Sequence, residues 1–463
     1  MVIEVVLLQK LLWLAMGIPL VDGLIYLTKN KSRLATSRLG GKKDLWRLTG
    51  TDGLVLSKKF QLTFKKSLEG TVIIAPTGEG KTTSIFLPNL LSNSLPESSI
   101  IISDPKGELW NLTSAYQKSI GRTPILFEPL GKNAHYNLLE HCNSFTEVRE
   151  LATNIIQNGE LSIQLASGRS GGSSEWLNMA IPLFTAMLLI CKTVSGAVKI
   201  LINTPSLELP EMFVHCGNED AKEQFNIFMA SAASPKTMSS IVSTLLSSLQ
   251  LFTDHDLINT TSKSDFKPLD LREKPVALYI KYDEAKSNYL APFLSCFYSQ
   301  LIDKVMYGDG LPVLFMLDEF QNIGRISNFA QIVAVGRSRN LGFLICLQNL
   351  VRLYDIYGKN NTTTILNNMK TKCILPSLSD YEALSYISNL CGDKEIQTES
   401  TSGDKKTHSA TVKKLFTADE IRRIEDDKIL IIAHNKLPFL DNQNTYYTQK
   451  RYTDNVIEIK SER

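Results

Sequence analysis

Residues 71–83 read Thr-Val-Ile-Ile-Ala-Pro-Thr-Gly-Glu-Gly-Lys-Thr-Thr, a β-branched run that breaks into a glycine-rich turn and opens onto the helical pattern from Ser84 to Leu91. A strand, a Gly-Lys-Thr turn and a helix in that order form a cradle for nucleotide phosphates. Backbone N–H groups of the loop and of the helix N-terminus point at phosphate oxygens. The loop predicted to hold the cofactor is Ala75, Pro76, Thr77, Gly78, Glu79, Gly80, Lys81, Thr82 and Thr83. Lys81 is expected to reach the β- and γ-phosphates and Thr82 to ligate Mg²⁺, which makes ATP and Mg²⁺ the expected cofactors. Ala75 stands where the usual pattern has its first glycine. It adds only a methyl group, and Gly78 supplies backbone freedom inside the loop.

A bound triphosphate needs residues that hold its metal and activate water. The apolar run Leu311-Pro-Val-Leu-Phe-Met-Leu317 ends in Asp318 and Glu319, a Walker B pattern in which the aspartate binds Mg²⁺ and the glutamate serves as general base. Two acids at the end of an apolar run also suit the first turn of a helix. The run alone leaves both readings open, and the phosphate loop in the same chain favours the hydrolytic one.

Two further strands end in polar residues. Ile100-Ile-Ile-Ser-Asp104-Pro-Lys-Gly-Glu108 is expected to lie beside the phosphate-loop strand and to bring Asp104 and Lys106 to the carboxyl edge, where open α/β sheets bind ligands. Leu341-Gly-Phe-Leu-Ile-Cys-Leu347 ends at Gln348, a position from which an amide can sense the γ-phosphate or orient water. By itself Gln348 reads equally as a surface amide in a strand-to-helix turn.

Strand-and-helix alternation fills residues 34–136 and about 272–392, whereas 137–271 carry helical periodicity, as in Trp176, Ala180, Leu183, Phe184, Met187 and Leu188. The fold class predicted is α/β, a RecA-like P-loop nucleotide-binding domain with an inserted all-α domain. Its parts are 34–136 with the phosphate loop, 137–271 as the helical insertion, and 272–463 with the Walker B strand, Gln348 and a C-terminal unit. Residues 1–33 are set apart as a short N-terminal apolar helix. The Met and aromatic stripe of the insertion reads as core. Ser167–Ser174 reads as a polar connector, or else a DNA or partner contact, and Thr398–Thr411 as a loop.

The seven cysteines show no metal-binding spacing and read as buried thiols in a reducing compartment. No Ser-His-Asp arrangement is evident among six histidines. A net charge of +3 gives no case for nucleic acid by itself, so any basic surface would have to be local, as in the channel of a ring.

Together, Ile74-Ala-Pro-Thr-Gly-Glu-Gly-Lys-Thr82, Leu87-Pro-Asn-Leu-Leu91, Ser103-Asp-Pro-Lys-Gly-Glu-Leu109, Leu317-Asp-Glu-Phe320 and Gln348-Asn-Leu350 resemble the coupling ATPases of conjugation and type IV secretion, the TraG/TraD type. Lesser echoes run from Ala35-Thr-Ser-Arg38 to Tyr446-Tyr447, so the resemblance covers about residues 34–450. It implies an inner-membrane ATPase, assembled as a homo-hexamer, that receives a relaxase bound to single-stranded DNA and delivers it to type IV secretion channel components. A coupling ATPase for protein effectors, or a nucleotide-binding docking adaptor without translocase activity, are the alternatives.

Such sites borrow an arginine from the neighbouring subunit. Arg325, Arg337 and Arg339 follow the Walker B strand and are the candidates, with Arg337 taken as the catalytic one. Residues 5–27 match the length of a membrane span. Lys10 and Asp22 count against spanning, and an interfacial or buried helix is the alternative. Lys29, Lys31, Arg33 and Arg38 follow the segment and would keep the ATPase on the cytoplasmic face.

Overall fold

The computed structural model describes residues 35–168, 174–232, 234–402 and 405–457. The apolar segment at 5–27 and most of the Ser167–Ser174 stretch lie outside the described residues. Among the described residues no single helix is long and apolar enough to cross a membrane.

Nine strands form one sheet. They are β1 (Thr71–Ile74), β2 (Ser99–Asp104), β3 (Thr123–Phe127), β4 (Val276–Lys281), β5 (Val313–Leu317), β6 (Leu341–Leu347), β7 (Thr371–Ile374), β10 (Lys428–Ala433) and β11 (Phe439–Asn442). The spatial order is β11-β10-β7-β1-β6-β5-β2-β4-β3. All pairings from β7 to β3 are parallel, and β10 and β11 add an antiparallel margin.

The parallel strands are apolar on both sides because each faces a separate core. Val72, Ile74, Ile101, Phe315, Leu317 and Ile345 face one. Ile73, Ile100, Ile102, Leu314, Met316 and Leu344 face the other. This is the period of two expected of strands covered on both faces, and it explains why their sequences read as unbroken hydrophobic runs.

Between β3 and β4 every regular element among the described residues is helical. The largest are α1 (Phe145–Ser167), α2 (Ser174–Ile190), α3 (Val194–Asn203), α4 (Glu219–Ser231) and α5 (Pro235–Ser248). Their apolar faces share one core with α6 (Ser287–Met306), which packs on the sheet. An aromatic cluster joins the layers: Phe127 at the end of β3 stacks on Phe297 of α6 at 4.8 Å, and Tyr136 and Phe266 close around them. Aromatic pairs in such offset or edge-to-face geometry add to the stabilisation from burial.

Two expectations need correction. The strand holding Ile100–Asp104 does not neighbour the phosphate-loop strand: β6 and β7 occupy both edges of β1, and β2 pairs with β4 and β5. Because all these strands run parallel, Asp104 still reaches the same carboxyl edge. Residues 398–402 and 405–411 belong to a ribbon rather than a loop, β8 (Asp393–Ser402) pairing antiparallel with β9 (Lys405–Lys414). The seven cysteines are all unbridged; Cys142, Cys191 and Cys216 are only partly buried.

Candidate nucleotide site at the carboxyl edge

Four parallel strands deliver the site. β1 runs into the loop, where Ala75 N–H still donates to Leu347 O at 3.0 Å before the chain leaves the sheet. Gly78 and Gly80 then take φ of +91° and +78°, a backbone conformation costly for residues with a Cβ. The loop closes on a helical turn at Thr82–Phe86, with Ser84 N–H donating to Gly80 O at 2.8 Å.

Lys81 and Thr82 at this turn meet the acids at the end of β5. Lys81 Nζ lies 2.8 Å from Glu319 Oε1, with both side chains nearly buried. Thr82 Oγ1 donates to Asp318 Oδ2 at 3.0 Å. Gln348, at the end of β6, donates from Nε2 to Glu319 Oε2. Gln321 accepts the Gln348 N–H at 3.1 Å and so fixes the amide's base. Glu319 itself sits at φ +56°, and strained backbone of this kind concentrates at functional sites. The acids are therefore not simple helix caps: they face the loop.

The electrostatics follow from burial. Asp318 is pushed up to about 6, first by desolvation and then by the neighbouring Glu319, against the pull of Lys81 and the Thr82 hydroxyl. Burial opposes the charge on Lys81, but the Cys346 sulfur and the Glu319 and Asp318 carboxylates outweigh it and hold its pKa above the usual value. The site thus combines a retained ammonium with acids held in a dry environment.

Asp104 lines the same cavity, with its carboxylate already engaged. Its oxygens accept the N–H groups of Leu109 at 3.3 Å and Trp110 at 2.8 Å, capping the helix Glu108–Ser119. Desolvation nevertheless raises its pKa to about 6. The cavity measures about 370 Å³ and takes in Thr77, Gly78, Gly80, Lys81, Thr82, Thr83, Lys106 and Tyr447 besides the acids. Ala75 is buried in the core beneath it. Pro76 turns to an adjoining cavity shared with Thr77 and Gln348.

Sequence reasoning did not single out Gln321 or Tyr447 for the site. Gln321 sits two residues past Glu319 and carried no pattern of its own. Tyr447 belongs to a turn 128 residues beyond Glu319 in the sequence, brought to the cavity mouth only by the fold.

None of the three candidate arginines lines the cavity. Arg337 and Arg339 precede β6 and lie at the amino edge of the sheet, opposite the site. Arg325 has its backbone N–H and C=O clamped by Asn158 of α1, at 2.8 and 3.1 Å.

A parallel sheet with a phosphate loop and an adjacent Asp-Glu pair at its carboxyl edge defines the RecA-like P-loop class. The family model described as "Type IV secretory system Conjugative DNA transfer" matches residues 26–463, and the chain belongs to that family. It is 27% identical over 410 residues to Protein VirD4 of Agrobacterium fabrum (strain C58 / ATCC 33970), covering 82% of this chain and 59% of VirD4. It is 25% identical over 409 residues to the conjugal transfer protein TraG of Escherichia coli, covering 78% of this chain and 62% of TraG. The chain therefore spans about three fifths of the length of these curated relatives. The plasmid coupling protein TrwB in complex with ADP and Mg²⁺ superposes with a TM-score of 0.65 at 15% identity, over 89% of this chain and 93% of TrwB. That likeness establishes the fold.

Proposed function

We propose that the chain is a coupling ATPase that binds ATP and Mg²⁺ at this edge and drives or licenses transfer of relaxase-bound single-stranded DNA through a type IV secretion channel. Residues 34–136 and 272–463 form its nucleotide-binding domain, 137–271 its all-α domain, and the 1–33 segment its contact with the inner membrane. The active form is a homo-hexamer on the cytoplasmic face. Family membership supports the substrate and the assembly. One observation carries the chemistry: Lys81, Thr82, Asp318, Glu319 and Gln348, from three strands, converge within hydrogen-bonding distance.

The donor set fits the cofactor. A hydroxyl and a carboxylate 3.0 Å apart are hard oxygen ligands, and Mg²⁺ is commonly held by one or two such groups with substrate phosphates completing its shell. No cluster of three or more metal-binding side chains occurs among the described residues, which suits a metal that arrives with its nucleotide. When bound, Mg²⁺ would neutralise charge on the phosphates.

The chain's own residues supply the rest. Both Glu319 oxygens are engaged, Oε1 by Lys81 and Oε2 by Gln348. A triphosphate carries more negative charge than one carboxylate and competes for Lys81. Transfer of Lys81 to phosphate frees Oε1 to accept a proton from water, while Gln348 keeps the carboxylate oriented through Oε2. Arg337 of each subunit completes the neighbouring site, stabilising the charge that develops there. The TrwB complex with ADP and Mg²⁺ supports the same ligands for this fold.

The test is ATP hydrolysis by the purified chain with and without single-stranded DNA. Hydrolysis stimulated by DNA and lost in both Lys81→Ala and Glu319→Gln is expected. Wild-type rates in those variants would overturn the site, and absence of hydrolysis in the intact protein would leave a docking adaptor.

A further inference from the structure

Glu69 lies at the edge of the sheet opposite the nucleotide site and carries a carboxylate only 6% exposed. Gly70, at φ +81°, turns the chain directly from it into β1. Glu69 Oε1 is 2.9 Å from Lys66 Nζ and 3.0 Å from Arg337 Nη1. Its Oε2 faces His434 Nδ1 at 3.3 Å. His434 is held at φ +54°, its backbone N–H donating to Lys370 O at 2.7 Å, and its buried Nε2 has no hydrogen-bond partner among the described residues. The cluster thus gathers the ends of four adjacent strands, β10, β7, β1 and β6, around one carboxylate.

Arg337 is the exposed member. About half of its side chain meets solvent, and among the described residues Glu69 is the only ion-pair partner of its guanidinium. A guanidinium has five donors in a rigid fork. A contact through one nitrogen orients the group and leaves donors for an acceptor outside the subunit.

Strands β1 and β6 are paired in parallel from Thr71↔Leu344 to Ile74↔Leu347. At one end they carry the phosphate loop and Gln348; at the other, Glu69 and, one turn before β6, Arg337. The two ends are separated by roughly 15 Å of strand. Residues that touch the nucleotide in one subunit and the arginine presented to the next are therefore tied to the same two strands.

We infer that Glu69 is a positioning residue that holds Arg337 in the orientation required by the site of the neighbouring copy. The inference rests on the reading of Arg337 given above. A merely structural carboxylate would alter stability alone, whereas a positioning residue changes turnover through Arg337 and in the subunit next door.

The experiment compares Glu69→Gln, Arg337→Ala and the double variant in the full-length chain, measuring kcat, ATP affinity and complementation in mixed rings. Glu69→Gln is expected to lower kcat on the order of 10- to 100-fold, the scale of a misplaced group, with ATP affinity unchanged. The double variant should be no slower than Arg337→Ala. Mixing Glu69→Gln with Glu319→Gln subunits should restore turnover, because the second supplies a well-placed Arg337 to the intact base of the first.

A wild-type kcat in Glu69→Gln, or a loss that multiplies with that of Arg337→Ala, would overturn the inference while leaving the trans arginine in place. If Arg337→Ala is itself fully active, or is not rescued by Glu319→Gln subunits, the trans reading fails and the inference falls with it. Should Glu69→Gln not fold, Glu69→Asp keeps the charge and shortens the reach. A slowed Glu69→Asp that is rescued in mixed rings supports the inference, and a wild-type rate overturns it.

Discussion

The two edges of the sheet treat buried acids in opposite ways. At the carboxyl edge Asp104 and Asp318 are desolvated and only partly compensated, so both are pushed up to about 6. At the amino edge Glu69 is also buried, but Lys66, Arg337 and His434 surround its carboxylate. Under-compensation leaves the first edge ready to receive a cation and a phosphate chain. Ion pairs with Lys66 and Arg337 let the second hold a side chain in place. The difference teaches that burial alone does not mark a site: what matters is whether the protein supplies the counter-charge itself.

The sharpest way to break this comparison is Glu319→Gln. It keeps the Gln348 contact and the shape of the site but removes the proton acceptor. Hydrolysis should fall about 10²- to 10⁴-fold, the contribution of a positioned general base, with ATP binding retained. Turnover within tenfold of wild type in a single-site assay would show that the acids are scaffold and that the two edges do not differ in kind.

A second effect concerns the Lys81–Glu319 pair, whose side chains are 6% and 11% exposed. Breaking such a pair strands a buried charge, while replacing both partners relieves the desolvation. Lys81→Met and Glu319→Gln should each lower stability without nucleotide by about 3–5 kcal/mol. The double variant should recover most of that. Denaturant unfolding of the four proteins measures the coupling, and simple additivity would mean that the contact contributes nothing.

The carboxyl edge was legible because its chemistry is written at strand ends. An apolar β-branched run followed within a few residues by Gly-Lys-Thr, Asp-Glu or Gln places those groups at one edge whatever the strand order. Strand order itself was not legible. β2 stands three places from β1 because β5 and β6, both far later in the chain, insert between them, which no local pattern reveals. The ribbon β8–β9 was misread because few apolar residues mark either face, and without a half-buried face the alternation that reveals a strand is missing. Glu69 carried no signal at all. Its partners Arg337 and His434 stand 268 and 365 positions away, and no spacing rule reaches that far.

The smallest expected effect is a pH slope at the carboxyl edge. Asp104 titrates at about 6 in the folded chain against a reference of 3.8. Between those values the folded state binds more protons than the unfolded one, so stability contributed by this group falls as pH rises through the window and the full cost is present above about 6. Asp104→Asn cannot ionise and escapes that cost while keeping an oxygen to accept a backbone N–H at the start of Glu108–Ser119. Relative to wild type it should therefore gain about 1–3 kcal/mol between pH 4 and pH 7, since one pKa unit corresponds to about 1.4 kcal/mol. Asp318 titrates in both proteins and cancels in the difference. Glu69→Gln should instead destabilise at pH 7, because it removes the anion that the Lys66 ammonium and the Arg337 guanidinium share. Thermal unfolding of wild type and Asp104→Asn across that pH range reads the slope directly. Parallel curves would show that the N–H groups of Leu109 and Trp110 compensate Asp104 fully, and the contrast between the edges would then rest on Asp318 alone.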